Sequence, residues 1–188
     1  DYWERHLDPD LYIDRTLKGK VRNKVVVITG GSSGIGLATA QKVAAAGAVT
    51  VIVARGEEEL FKVRDEMKAA GGKVFAYTAD LADMAGCDAL VAQVLAAHGH
   101  VDILVNNAGR SIRRSIEASY DRFHDFERTM QLNYFGSIRL IMGFMPTMTQ
   151  RRKGHIINIS SIGVLANSPR FSAYVASKAA LDAFSRCA

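Results

Sequence analysis

The sequence predicts an α/β fold, a doubly wound parallel sheet of Rossmann-like design. Three observations carry this: β-branched runs recur along the chain, helical patterns separate them, and a glycine-rich turn follows the first run. Residues 24–29 (KVVVIT) are apolar without alternation, as expected of a strand covered on both faces. After the turn, residues 35–46 have the small-residue apolar spacing of a helix. Residues 50–54 (TVIVA) predict a second strand, 57–70 a charged amphipathic helix and 73–79 a third strand. A helix near 82–97 and a strand at 101–105 (VDILV) continue the alternation. A long helix is expected from about 120 to 150, with a break at Pro146. Residues 155–159 (HIINI) predict a fifth strand, and the chain is helical from Ala173 onward.

The 188 residues suit one domain with a sizeable core. Apolar residues make up 48% and charged residues 23%, an ordinary balance for a globular protein. A net charge of +5 suits an anionic ligand or a plain solvated surface equally. The basic residues are scattered, with no arginine-rich or zinc-finger pattern, so nucleic acid is not an expected partner. Cys87 and Cys187 lie far apart without CxxC spacing and predict reduced thiols in a cytoplasmic protein. No stretch reads as a signal peptide or a membrane span. Residues 1–20 read as a leader or inter-domain linker, with a turn signal at Asp8-Pro9-Asp10, and residues 21–188 as the folded domain. A start at Asp1 and an end at Ala188 inside a helical pattern suggest an excerpt of a longer chain, with the C-terminal part of the domain missing.

Thr29-Gly30-Gly31-Ser32-Ser33-Gly34-Ile35-Gly36 joins the first strand to the first helix. Glycines let this backbone turn sharply and approach a pyrophosphate, and the helix N-terminus supplies free N–H groups and a positive dipole end. The spacing Gly-x-x-x-Gly-x-Gly differs from the common GxGxxG fingerprint, and such a turn can also be a plain connection. Its place between strand and helix favours nucleotide binding. The second strand ends in Arg55, where NAD sites usually carry an acidic residue. A guanidinium there can pair with a ribose 2′-phosphate, which favours NADPH over NADH; the bland reading is a surface arginine.

Four further landmarks follow. Asn106-Asn107-Ala108-Gly109 comes after the fourth strand, Asn133 lies in a helix, Ser160-Ser161 ends the fifth strand, and Tyr174-Val175-Ala176-Ser177-Lys178 opens the last helix. Tyr and Lys four apart share a helix face, and an ammonium near a phenol favours the phenolate. A lone YxxxK is usually a solvated face. The ordered set resembles the short-chain dehydrogenase/reductase family, with its TGxxxGxG, NNAG, helix Asn, strand-end Ser and YxxxK, over residues 24–188.

That resemblance implies roles. Gly30, Ser32, Ser33, Gly34, Ile35 and Gly36 would shape the pyrophosphate site, and Asp80 and Leu81 would border the adenine. Asn107, Ala108 and Gly109 would lie along the cofactor ribose and steady the central sheet. Tyr174 would be the general acid, Lys178 would support it and hold the nicotinamide ribose, and Asn133 would position a water in the relay. Ser161, thirteen residues before Tyr174, would bind the carbonyl oxygen, with Ser160 the less favoured choice.

The stretches NNAGRSIRRSI, SYDRFHDFERTMQLNYFGSIRL and HIINISSIGVLANSPRFSAYVASKAALDAFSRC are similar to bacterial fatty acyl-CoA reductases of that family. The likeness implies NADPH-dependent reduction of a long-chain acyl-CoA to the fatty aldehyde, in a chain that some relatives carry behind another reductase domain. Arg110, Arg113 and Arg114 would then flank the mouth and meet coenzyme A phosphates, or be ordinary solvated arginines. A ketone or aldehyde reductase of the same mechanism, and a non-catalytic nucleotide-binding module, are the alternatives. The family also implies a homo-oligomer, with the stripe of Phe123, Phe126 and Met130 as helix packing or a subunit face. His98 and His100 lack a carboxylate or thiolate partner at ligand spacing and predict a turn, not a metal site. Arg151-Arg152-Lys153 suits the negative end of a helix dipole.

Overall fold

The structure is a computed structural model, and it describes residues 16–188. Most of the leader reading, including the turn at Asp8-Pro9-Asp10, lies outside the described residues.

Among the described residues five parallel strands form one sheet: β1 (Val25–Thr29), β2 (Val49–Ala54), β3 (Lys73–Thr78), β4 (Ile103–Asn106) and β5 (His155–Asn158). Their order is β3-β2-β1-β4-β5. The chain winds outward from β1 in one direction, then returns to β1's other side. That reversal between β1 and β4 leaves a crevice at the strands' C-terminal ends, where doubly wound sheets take their ligands.

A short helix, α1 (Leu17–Val21), precedes β1, and its Val21 is buried. Helices α2 (Gly34–Ala45) and α3 (Glu57–Ala69) cover one face of the sheet, and α4 (Met84–His98) lies on the other. Neighbouring strand residues split between the two cores: Val26, Ile28 and Ile52 pack with α2 and α3, while Val27, Val51 and Leu104 pack with α4 and the helix after β4. Every residue of β1 is buried, which is why the strand sequence does not alternate. Each such side chain removed from water stabilises the fold by about 1.5–3 kcal/mol.

The helix after β4 differs from the sequence expectation at both places where it was specific. Residues 120–123 are not helical; a single tight turn, Glu117–Ser119, precedes them. Helix α5 (His124–Met130) starts later, then widens into one π-type turn, Gln131–Gly136, and continues as α6 (Ser137–Arg151). A Cβ on Gly136 would overlap the Leu81 carbonyl oxygen, so glycine lets this turn lie against the segment after β3. Pro146 does not break the helix. Pro146 and Met142, one turn earlier, are both exposed, so water can satisfy the carbonyl that proline leaves unpaired. A four-residue helix, α7 (Gly163–Ala166), follows β5, and α8 (Ser172–Cys187) closes the chain. Among the described residues no helix is long and apolar enough to cross a membrane, and no cluster of potential ligands could hold a metal ion.

Candidate active site

The loop after β1 is held from two sides. Gly30 and Gly31 donate their backbone N–H groups to the Val53 carbonyl near the end of β2, at 2.8 and 3.2 Å. From the loop just after β4, the Asn107 side-chain amide donates to the carbonyls of Thr29 (3.0 Å) and Gly30 (3.4 Å). Thr29 Oγ1 in turn accepts from the N–H groups of Asn107 and Ala108. Glycine is required where these pieces meet. Gly30 has φ +67, and a Cβ on Gly36 would overlap the Gly30 carbonyl. At Gly34 a Cβ would meet nothing within 4 Å: the space in front of α2 is open. Ser33, the N-cap, makes no side-chain cap bond, so the first N–H groups of α2 are available to an anion.

This loop forms one wall of a cleft of about 270 Å³. Of the sequence-predicted residues, Gly30, Ser32, Ser33, Arg55, Leu81, Ala108 and Gly109 line it together. Gly34, Ile35 and Gly36 sit at the helix start beside it; Ile35 is exposed and Gly36 buried. Asp80 does not line the cleft, and its carboxylate accepts from the Ala82 N–H in a local turn at 3.0 Å. The sequence reading missed Val53, Ala54, Gly56, Ala79 and Leu132, which also line it. Most are strand-end neighbours of predicted residues, so the strand boundaries were the available signal. Arg55 is exposed and has no ion-pair partner among the described residues. An open, uncapped helix start and an unpaired guanidinium in one cleft fit a phosphorylated dinucleotide.

Beyond Gly109 lies the second group. Lys178 is buried, and its Nζ donates to the Ile159 carbonyl just past β5 at 2.7 Å. A Cβ on Gly109 would lie 3.4 Å from this Nζ and 3.3 Å from Asn133 Oδ1, so the glycine leaves the ammonium and the amide room beside the β4 loop. Lys178 has no carboxylate partner among the described residues, and burial lowers its pKa from the ordinary value. Two of its three ammonium hydrogens remain unspent.

Asn133, in the widened turn, is fully buried. Its amide donates to the Arg110 carbonyl and to Ser177 Oγ, both at 2.9 Å, and its Oδ1 accepts from the Arg110 N–H at 2.8 Å. Both amide hydrogens are therefore used in joining the β4 loop to α8. Tyr174 is half-buried in the first turn of α8, and its hydroxyl has no hydrogen-bond partner among the described residues. Phe171 meets its ring edge-on at 6.4 Å. Ser161 Oγ accepts from the Gly163 N–H at 3.1 Å, which leaves its own proton free to donate. A Cβ on Gly163 would lie 3.2 Å from both Ser161 Oγ and the Val175 side chain, so the glycine lets the Ser161 loop lie close to α8 beside Tyr174.

The arginines suggested for the mouth separate. Arg110 and Arg113 are exposed and unpaired among the described residues, whereas Arg114 Nε is bonded to Asp125 at 3.2 Å. His98 faces the Tyr77 hydroxyl at 3.2 Å, and His100, for which the sequence offered no carboxylate partner, pairs with Asp102 at 3.3 Å.

The short chain dehydrogenase family model matches residues 24–188, the span that builds this crevice. The chain belongs to the short-chain dehydrogenase family. This short-chain dehydrogenase is 57% identical over 175 residues to a fatty acyl-CoA reductase of Acinetobacter baylyi, covering 93% of the present chain and 59% of that protein. It is 48% identical over 183 residues to a fatty acyl-CoA reductase of Mycobacterium tuberculosis, covering 96% and 62%. The chain thus spans about three-fifths of these relatives' length. Among solved structures, a metagenomic short-chain oxidoreductase in complex with NADP superposes with a TM-score of 0.83 at 36% identity, covering 87% of this chain and 74% of that one.

Proposed function

We propose that this short-chain dehydrogenase reduces a long-chain fatty acyl-CoA to the fatty aldehyde, using NADPH. The observation that carries the chemistry is Lys178: among the described residues it is a buried ammonium without a counter-ion, one helical turn from a tyrosine whose hydroxyl has no partner. The acyl-CoA substrate is supported by the likeness to two fatty acyl-CoA reductases.

When bound, the cofactor supplies a hydride to the thioester carbonyl carbon. Ser161 donates its free proton to the carbonyl oxygen and steadies the negative charge that grows there. Tyr174 gives that oxygen its proton, and Lys178 favours the phenolate left behind. The resulting hemithioacetal collapses to aldehyde and releases the coenzyme A thiol. Asn133 acts mainly by fixing the β4 loop to α8; its main-chain carbonyl already accepts from Ser137 Oγ, so a relay water at this residue would use its remaining Oδ1 lone pair. In the cleft beside the α2 N-terminus, which Ser161, Tyr174 and Lys178 do not line, the α2 N–H groups and Gly30, Ser32 and Ser33 would hold the pyrophosphate, and Arg55 would take the 2′-phosphate. We place the reaction in the reducing cytoplasm, where Cys87 and Cys187 stay free, and in a homo-oligomer.

The test compares NADPH with NADH in the full-length protein, each against a long-chain acyl-CoA, a fatty aldehyde and a simple ketone. Acyl-CoA turnover with NADPH alone is expected. Activity confined to the ketone or aldehyde would discard the acyl-CoA assignment and leave the proton chemistry standing. Tyr174→Phe should lose turnover by about a hundredfold or more while still binding NADPH.

A further inference from the structure

Asp125, in the first turn of α5, is surrounded by cations. Arg114 and Arg122 donate through Nε to Oδ2 at 3.2 and 3.1 Å, Arg128 donates through Nη2 to Oδ1, and His124 lies 3.4 Å from the same Oδ1. The carboxylate is 3% exposed, but the three arginine side chains are 35–49% exposed. One guanidinium would neutralise this carboxylate; three leave the group with a surplus of two positive charges before His124 is counted. Each arginine spends one of its five N–H donors on Asp125, so four remain on each. Burial alone would raise the Asp125 pKa, yet the hydrogen bonds from Arg128 and Arg122 and the nearby charges bring it down to about 2. The carboxylate is thus ionised throughout the working range and orients the guanidinium forks.

The cluster adjoins the catalytic helix. Arg114 donates its backbone N–H to the Arg170 carbonyl at 2.7 Å, and a small hollow joins Arg114 and Asp125 to Ser172 and Ala173, the residues before Tyr174. The neighbouring Tyr120 and Phe123 are 81% and 70% exposed. Fixed, outward-lying guanidinium forks with spare donors suit a phosphate more than any other common anion.

We propose that Arg114, Arg122 and Arg128, oriented by Asp125, form a phosphate-binding subsite for the coenzyme A half of the substrate. This rests on the acyl-CoA reading above. It replaces the looser grouping of Arg110, Arg113 and Arg114 with three arginines that share a buried anchor. The subsite lies apart from the cleft of Gly30 and Arg55, so the enzyme would meet phosphates of cofactor and substrate at separate places.

The test uses the full-length enzyme at saturating NADPH with two thioesters of one fatty acid: the acyl-CoA, and the acyl-pantetheine that lacks the nucleotide and its phosphates. The wild type should prefer acyl-CoA by about tenfold or more in kcat/KM, chiefly through KM, and the preference should shrink as salt is added. In the double variant Arg122→Gln, Arg128→Gln the preference should fall towards parity. If that variant does not fold, Arg128→Gln alone, at the most exposed of the three, carries the same comparison. Equal use of both esters by the wild type, or a preference that the variants retain, overturns the subsite alone. A wild type that reduces neither ester sinks the acyl-CoA reading and the subsite with it.

Discussion

Two buried side chains illustrate how differently polarity in a core can be used. Thr50, on β2, is fully buried, and its hydroxyl has no partner among the described residues. Such a group costs about 1–3 kcal/mol relative to an apolar one of the same shape. Thr50→Val should therefore raise the denaturant midpoint and leave turnover unchanged; an unchanged or lower midpoint would mean that the hydroxyl is satisfied. Lys178 carries a similar penalty for a reason. Burial holds its pKa below the unfolded value of 10.5, so at lower pH the fold must accommodate a charge that water would hold better. Lys178→Met should abolish turnover yet stabilise the protein by about 1 kcal/mol near neutral pH, a rise of about 2–4 °C in Tm. The unfolded state binds more protons between the lowered folded value and 10.5. The stability difference should accordingly shrink as pH climbs through that window and vanish above it. Melting curves at pH 7 and above pH 10.5 separate this from simple loss of packing, which would give the same difference at both.

At the scale of elements, what the sequence showed and what it hid have physical causes. The inner strands β1, β2 and β4 were legible because their burial favours unbroken apolar runs; β3 and β5, partly exposed, were legible from their place in the alternation, and all five bounds differ from the observed ones by a residue or two. The glycine-rich turn after β1 was legible because Gly30 and Gly36 stand where no side chain fits. What stayed hidden was set by distant partners. The widened turn at Asn133 depends on Leu81 across a gap of over fifty residues, and the Asp125 cluster gathers side chains whose pairing no local period reveals. Pro146 misled because its local penalty is real, but exposure lets the helix absorb it. The residue still forfeits a helical hydrogen bond. Pro146→Ala should stabilise the protein by about 1–3 kcal/mol, read as a higher Tm with unchanged kinetics. No gain would show that proline's stiffening of the unfolded chain already offsets the lost bond.

Over the whole molecule, the continuous helix of α5 and α6 is fastened at both ends by carboxylates. At its start, Asp125 gathers Arg114, Arg122 and Arg128 beside the head of α8. At its end, Arg151 bonds Asp102 at 2.7 Å, and Asp102 also accepts the Val25 N–H at the base of β1. Burial pushes both carboxyls up, but their hydrogen bonds to arginine, and to the Val25 N–H for Asp102, outweigh it and leave both pKa values below the ordinary 3.8, Asp125 at about 2. Their contribution is therefore complete above about pH 4 and is lost as the pH falls through the lowered folded values. Acid should loosen both fastenings of the helix that carries Asn133, and with them the seat of Lys178 and Tyr174. The denaturant midpoint of the wild type should fall steeply between about pH 4 and pH 2. Asp125→Asn should start lower at pH 6 and descend less steeply, because one proton fewer is taken up on unfolding across that range. Parallel slopes for the two proteins would show that the acid limb belongs to other groups and that Asp125 is not held ionised by its arginines.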